Sequence, residues 1–551
     1  MIPGLASFVA FPDISGDADD PGAPLTWDDA VAAVMAGLGQ EFTVVPDRAA
    51  PRTAERRTWF DTFDWRLFRA GLLLEYVPGR RGSELRLASA DDVKILAQPV
   101  TGWKPSRPHP ARDIPPGPIA DRIGTLISPR ALLHVVTVTD STEASRLLNA
   151  DTKTVARLVV ERPLLSAGKN RHPLPPRFSI QPVRGYPGQA RRAVRLLEAS
   201  GGVTRSDGTV FEEALAALGR EPADYSNKVD AAVTAEMPSS RAVAVILLRL
   251  LDIAEANTHG VIRDIDPEFL HDFRVSVRRT RAALKLFGPA IAGAGQAKPD
   301  LASVAAEFKW LGDLTTPTRD LDVHLLGFDD MAAGLRAAKA DDLEPLRAYL
   351  AERRARECRA LARGLRSPRF TELAERWRAT LTPISEKGGR KRGGTTRSGE
   401  RLAVDLAVER TRRAFARVAR RGAAITKDSP HESLHDLRKR CKELRYALEF
   451  FAPLHDRAAY EAVIGDLKKL QDCLGDFQDS EVQIAEIRSL ATAMQAAGAA
   501  PAVTLLAMGE ITAGLAAAQA DARADFERRF AAFAGADGQK RMSVLLRGGT
   551  A

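Results

Sequence analysis

The chain has 551 residues and carries 80 Lys and Arg against 71 Asp and Glu, a formal charge of +9. Its length corresponds to about three or four domains, enough to bury several cores without a covalent staple. The three cysteines form no C-x-x-C pair and no stretch of about 20 residues is continuously apolar, which excludes a disulfide scaffold, a collagen-like chain and an integral membrane protein and fits a reducing cytoplasm.

The N-terminus, MIPGLASFVAFPDISGDADD, has neither a basic segment nor a long apolar one, so no signal peptide is expected. SFVAFPD at 7–13, with Ser7, Val9 and Phe11, is the first strand candidate. Residues 88–128 are rich in Pro and Gly and read mainly as loop. ALLHVVTVT at 131–139 and TVARLVVERPLL at 154–165 read as strands bounded by turn residues. GYPGQARRAVRLLEASGGVTRSDGTVFEEALAALG at 185–219 reads as helix, Gly-rich turn, helix. Residues 1–220 therefore read as an α+β domain with an antiparallel sheet.

After Tyr225 helical periodicity takes over. GGRKRGGTTRSG at 388–399 splits this region in two, so that 226–386 and 401–540 read as helical bundles joined by a Gly/basic linker at 387–400. Arg390, Lys391 and Arg392 read as solvated linker charge, with anion capture as the alternative.

The two halves repeat each other. LHDFRVSVRRTRAALKLF at 270–287 matches LHDLRKRCKELRYALEFF at 434–451 with a constant offset and no gap. His271, Arg274, Arg278 and Arg281 match His435, Arg438, Lys442 and Arg445. Spaced i, i+3, i+7 and i+10, each set occupies an arc of roughly 80° on a helix. Lys285 extends the first row where the second half has Glu449, and Lys439 lies beside Arg438. On another face, Leu270, Phe273, Val277, Leu284 and Phe287 match Leu434, Leu437, Cys441, Leu448 and Phe451, with Thr280 against Leu444 as the exception. Solvated basic helices mix signs, with acids four residues from bases. A histidine-headed row of bases occurring twice points instead to anion binding. Asp266-Pro267-Glu268 and Ser429-Pro430-His431-Glu432 supply helix starts, the latter with an S-x-x-E capping box.

A second repeated element pairs FKWLGDLTTPTRDLDV at 308–323 with LKKLQDCLGDFQDSEV at 467–482. Aligning Asp320 with Asp479 sets Lys309 opposite Lys468 and Arg319 opposite Gln478, with one extra residue in a turn of the first copy. Either these are helix ends whose acids cap the next helix, or Lys309, Arg319, Lys468 and Lys469 add cations to the same surface. His431-Glu432-Ser433-Leu434-His435 matches H-E-x-x-H, but only His435 belongs to the repeat, and Arg438 and Arg440 would repel a zinc ion. Cys441 reads as a buried thiol, and Trp59, Trp65, Trp103, Trp310 and Trp377 as core. No phosphate-binding Gly-rich loop is present.

The paired H-D-x-R-V-x-x-R-R-x-R and H-D-L-R-K-x-x-K-x-L-R-Y helices, with R-D-L-D-V and L-Q-D-x-L-G-D after them, resemble CHAD domains, the conserved-histidine α-helical domains, over roughly 226–540. The resemblance implies two pseudo-symmetric helical bundles that bind inorganic polyphosphate in a basic groove lined by His271, Arg274, Arg278, Arg281, His435, Arg438, Lys442 and Arg445. TWFDTFDWRLFRAGLLLEYV at 58–77 resembles a segment of CYTH domains, triphosphate tunnel enzymes whose closed antiparallel barrel holds Mg²⁺ or Mn²⁺ on glutamates. Here the E-x-E-x-K opening strand is missing, Leu73-Leu74-Glu75-Tyr76 replaces L-R-x-R, and only Arg86 and Arg146 stand for later bases. No carboxylate cluster for two metals is apparent. Asp61 and Asp64 read as turn and capping residues.

The expected architecture is an α+β domain with an antiparallel tunnel-type β-barrel, followed by an all-α domain of two pseudo-symmetric bundles. The expected function is non-catalytic polyphosphate binding, cytoplasmic and bacterial in style, including polyphosphate granules. No catalytic residue, metal, cofactor, nucleic acid or membrane is expected, and a protein partner of the N-terminal domain stays open. Two alternatives also stay open: a metal-dependent triphosphate or polyphosphate hydrolase of the CYTH type, and a nucleic-acid-binding module, for which no helix-turn-helix, RRM or aromatic-platform signal is found.

Overall fold

The computed structural model of the protein describes residues 5–10, 27–50, 53–80, 82–200, 203–206, 208–292, 300–387 and 401–548. They fall into two compact units, divided between Ser226 and Asn227. Phe11 and the basic stretch at 388–399, with Arg390, Lys391 and Arg392, lie outside the described residues.

The first unit runs β1 (Leu5–Ala10), α1 (Trp27–Gly39), β2 (Thr43–Pro46), β3 (Thr53–Asp61), α2 (Arg66–Arg69), β4 (Leu72–Val77), β5 (Ser83–Ser89), β6 (Lys94–Val100), β7 (His109–Pro110), α3 (Pro118–Ile127), β8 (Ala131–Leu148), β9 (Thr154–Ala167), β10 (Asn170–Pro173), β11 (Arg177–Pro182), α4 (Pro187–Ala199), β12 (Val203–Arg205) and α5 (Val210–Ala217). Its antiparallel sheet has the order β12-β1-β11-β9-β8-β3-β4-β5-β6, with β2, β7 and β10 pairing beside β8 and β9. The path has two ends that do not pair with each other among the described residues, so the closed barrel is not met. The ends suit open edges: β12 has three residues, and β6 carries an exposed Lys94 and Pro99, which cannot donate to a further strand.

Residues 88–128 are more ordered than their Pro and Gly content suggests. They contain β6 and α3, whose Ile119, Ile123 and Ile127 recur every four residues and are fully buried against Leu74, Leu85 and Leu87. The 185–219 segment holds a short strand, β12, between its two helices. α1 and α4 pack Val34, Leu38, Ala193 and Leu197 onto Phe178 and Ile180. Asp61 caps α2, accepting from the N–H of Leu67 at 2.9 Å and Phe68 at 2.8 Å, and burial pushes its pKa up to about 6.

The second unit is helical: α6 (Ser239–Ile262), α7 (Pro267–Ile291), α8 (Leu301–Leu326), α9 (Phe328–Ala333), α10 (Glu344–Leu365), α11 (Pro368–Lys387), α12 (Ala403–Ala423), α13 (His431–Phe450), α14 (Arg457–Ala496), α15 (Ala502–Ala534) and α16 (Ala536–Gly548). The repeated apolar positions on α7 and α13 are all buried, and so are Thr280 and Leu444. Cys441 sits in the core of the second half with Val418, Leu467 and Leu474. Pro238 and Leu402, immediately before α6 and α12, form a β-bridge that ties the two repeats together.

Asp266 caps α7 through the N–H of Glu268 at 3.0 Å and Phe269 at 3.3 Å. The capping box expected at Ser429 and Glu432 does not form. Pro430 takes the cap position of α13, and Ser429 instead accepts from the N–H of Thr426 at 2.9 Å. The turn expected in the second repeated element is also absent, because α8 and α14 run unbroken through it, α8 across Pro317.

α14 and α15 form a long antiparallel hairpin. Its Ile487, Met494, Ala507 and Met508 pack on Phe328, Leu346 and Leu350 of the first half. The Glu510 carboxylate accepts from the N–H groups of Arg336, of Ala337 at 3.0 Å and of Ala338 at 2.9 Å. By length and composition alone α15 is long and apolar enough to cross a membrane, although Thr504, Glu510, Thr512 and Gln519 interrupt its apolar run.

Candidate anion-binding site

The site is built where α7 and α13 meet. Each basic row is about 15 Å long, ten residues at helical rise. Arg278 of α7 donates from Nε to the Tyr446 hydroxyl of α13 at 2.8 Å. This places Arg278 close enough to Lys442 to affect its charge, beside Arg438 and Arg445. The two rows therefore converge on one spot, contributed by both halves.

Their environments differ. Arg274 is half-buried and held by the hydroxyls of Thr315 and Thr316, both at 2.9 Å, on α8. Burial draws its pKa below the ordinary guanidinium value. Burial, then the neighbouring Arg319, likewise lowers the pKa of His271 and favours its neutral imidazole. Arg319 reaches the Pro267 carbonyl at 3.4 Å. In the second half Gln478 stands in the corresponding place and accepts from Nδ1 of His435. His431 pairs with Glu481 at 3.0 Å, so the two histidines of the H-E-x-x-H stretch face different partners.

The last base of each row rests on the paired helix. Arg445 reaches Gln471 at 3.3 Å. Arg281 is exposed and lies over Gly312, where an added Cβ would come 3.1 Å from its guanidinium. Gly312 and Gln471 correspond in the same alignment that pairs Lys309 with Lys468. The acids of this element are not caps. Asp479 holds Arg438 at 3.0 Å, Asp320 faces Arg274, and Asp322 holds Arg354 at 2.5 Å.

Lys442 is half-buried and has no hydrogen bond or ion pair among the described residues. Burial, then Arg438 and Arg278, push its pKa down to about 8. The other lysines are engaged or peripheral. Lys285 turns to Glu443 at 2.5 Å, Lys309 to Asp313 at 2.7 Å and Lys469 to Asp466 at 3.9 Å, while Lys439 and Lys468 are exposed without a partner among the described residues.

Two ion pairs across the halves were not legible as such in the sequence. Arg279 meets Glu449 at 2.8 Å, and Lys285 meets Glu443. The repeat offset carries Arg279 onto Glu443 and Lys285 onto Glu449, so this is one contact made twice, with both bases in the first half and both acids in the second. Two first halves, or two second halves, would repel at these positions. Double-mutant analysis of Arg279→Ala and Glu449→Ala by denaturant unfolding should give a coupling of about 1–2 kcal/mol. Additive effects would show that the pair does not join the halves.

In the first unit, carboxylates that are scattered in sequence gather on one face of the sheet. Arg57 on β3 binds Asp140 at 2.7 Å, Asp92 at 3.0 Å and Glu75 at 3.4 Å, and Glu161 faces the same group. Arg86 takes Glu55 at 2.8 Å and Glu84 at 2.5 Å, and Arg146 lies 3.9 Å from Asp47. Strands and turns thus bring these carboxylates together from distant positions in the sequence. They are turned onto arginines, and no group of three acidic, His or Cys side chains suited to a metal occurs among the described residues. Burial pushes Glu75 up to about 7 against the pull of Arg57.

Residues 245–488 match the family model of the CHAD domain. No curated protein matches the chain. Among solved structures, the CHAD domain from the plant Ricinus communis is 28% identical, covering 55% of this chain and 95% of that one, with a TM-score of 0.45. PptA from Streptomyces chartreusis is 16% identical, covering 53% of this chain and 99% of that one, with a TM-score of 0.39.

Proposed function

We propose that this chain, which carries a CHAD domain over residues 245–488, binds inorganic polyphosphate in the groove where α7 and α13 meet. The observation that carries this reading is the convergence of Arg278 from α7 with Arg438, Lys442 and Arg445 of α13. A flexible polyanion with evenly spaced charges and no bases needs rows of guanidinium and ammonium groups. Arg supplies forked donors and Lys a point charge. Arg274, Arg438 and Arg445 are braced in place by Thr315, Asp479 and Glu449, so little ordering is left for the ligand to impose. The first unit is read as a CYTH-type fold whose inner charges neutralise one another rather than hold triphosphate. The protein would act in the cytoplasm, including on polyphosphate granules.

Competition between polyphosphate and duplex DNA at matched phosphate concentration tests this reading. Polyphosphate should displace DNA and not the reverse. Equal competition would reduce the rows to a generic basic surface, and metal-dependent release of phosphate from polyphosphate would overturn the non-catalytic assignment.

The reading also sets a pH dependence. A bound polyanion favours the ammonium form of Lys442, so binding takes up a proton once the free protein begins to lose it. Affinity should fall as pH rises through about 8. In Lys442→Arg the fall at that pH should disappear. Affinity independent of pH from 7 to 9 in the unaltered protein would remove Lys442 from the site.

A further inference from the structure

The two basic rows repeat each other in sequence but are held in different ways. In the first row no guanidinium meets a carboxylate among the described residues. Arg274 donates to the Thr315 and Thr316 hydroxyls, both at 2.9 Å, Arg278 to the Tyr446 hydroxyl at 2.8 Å, and Arg319 to the Pro267 carbonyl at 3.4 Å. Asp313 lies near Arg281 but is held by Lys309 at 2.7 Å. In the second row both guanidiniums are neutralised, Arg438 by Asp479 at 3.0 Å and Arg445 by Glu449 at 2.6 Å. Differences between the copies cause this. Thr315 and Thr316 stand where the second copy has Leu474 and Gly475, so Arg438 finds no hydroxyl there. Gly475 lies beneath it, where an added Cβ would come 3.6 Å from the guanidinium. Glu449 corresponds to Lys285, so Arg281 has a base four residues on where Arg445 has its acid. A hydroxyl or carbonyl fixes a guanidinium and leaves its charge for a ligand. A carboxylate fixes it, cancels that charge and repels an incoming anion.

We propose that the rows are unequal subsites of one groove: the first binds short condensed phosphates, of the class of tripolyphosphate, by itself, and the second joins only when a longer chain displaces Asp479 from Arg438. This rests on the reading of the groove as a polyphosphate site and adds to it an order of engagement and a dependence on chain length. The first row is also the more accessible, because Arg278 and Arg281 are exposed where Lys442 and Arg445 are half-buried. Asp479 can yield. Its carboxylate is 58% exposed, and Arg438 is its one partner among the described residues. An exposed pair of this kind is weak enough for a phosphate to replace the carboxylate. Glu449 cannot yield in the same way, because Arg279 holds it from the other half at 2.8 Å. Arg445 therefore stays neutralised, and the charge that a long chain gains in the second row is that of Arg438.

Calorimetric titration of the full-length protein with tripolyphosphate and with long-chain polyphosphate tests this, using the equivalent substitutions Arg281→Gln and Arg445→Gln. Arg281→Gln should weaken tripolyphosphate binding by about tenfold, and Arg445→Gln by less than about twofold. Equal effects, or none, while the long chain still binds would overturn the proposal and leave the groove reading standing. Tripolyphosphate that fails to bind where the long chain binds would do the same. If neither binds, the groove reading falls as well. Asp479→Asn keeps an oxygen facing Arg438 and removes the charge. It should tighten tripolyphosphate binding by about threefold or more and narrow the gap between short and long chains. Unchanged or weaker binding would refute the role given to Asp479. ATP carries the same three phosphates on a nucleoside and should bind no more tightly than tripolyphosphate. A preference for ATP would mean that a nucleoside is being read, and would overturn the assignment to condensed phosphate alone.

Discussion

Replacing Arg278 by Glu should weaken polyphosphate binding by about a hundredfold while leaving the helices folded. One charge-assisted phosphate contact contributes about 1.5–3 kcal/mol, and reversing the charge adds repulsion to the loss. Arg278 is exposed on α7, so the substitution buries no new charge. It is also the residue that brings the first row to the second, through Tyr446 and beside Lys442. Tyr446→Phe is the control. It removes the oxygen that Arg278 touches but keeps the cation, so binding should change by less than about threefold. Calorimetry gives the affinity and thermal unfolding reports the fold. A stable Arg278→Glu protein with unaltered affinity would place the ligand elsewhere.

The second large effect lies in the first unit. Arg57→Ala leaves Glu75, Asp140 and Asp92 without their shared counter-charge and should destabilise that unit by about 3–5 kcal/mol. The sign with pH is fixed by the carboxylates. Burial already raises Glu75 and Asp140, and losing Arg57 raises them further. A raised carboxyl is harmless while protonated, so the deficit should be small near pH 4 and grow as pH rises toward 8. Chemical denaturation at the two pH values checks this. A deficit independent of pH would mean that Arg57 acts through packing on Trp59, 4.7 Å away, rather than through charge. Polyphosphate affinity should be unaffected if the first unit takes no part in the groove.

Much of the helical unit could be read from sequence because its information is local and doubled. Leu270 to Phe287 and Leu434 to Phe451 state one helix twice, and both the buried face and the basic face follow from periodicity. The cross-half contacts were not legible, because nothing along the chain says that Arg279 will find Glu449. Lys285 shows the cost of reading a single helix: it continues the row by spacing, yet its ammonium group is taken by Glu443 from the other half. The acids Asp479 and Asp322 looked like caps because prolines, glycines and aspartates usually punctuate helices, but here two long helices run through them and the acids position arginines.

The sheet was legible in kind but not in detail. Long β-branched runs revealed β8 and β9, whereas β6 and α3 were hidden among prolines and glycines. The carboxylates around Arg57 and Arg86 come from strands up to a hundred residues apart, so no motif could announce them. The open ends of the sheet depend on edge residues such as Pro99, whose effect is visible only once strand order is known.

The most direct measurement is a calorimetric titration of the full-length protein with long-chain polyphosphate at two salt concentrations. Because a groove of cations releases counter-ions from a polyanion, affinity should be tight at low salt and fall steeply with added salt, by about tenfold or more between 50 and 200 mM. Tight binding weakened in this way is the predicted result. No measurable binding at low salt, or binding indifferent to salt, would contradict the account.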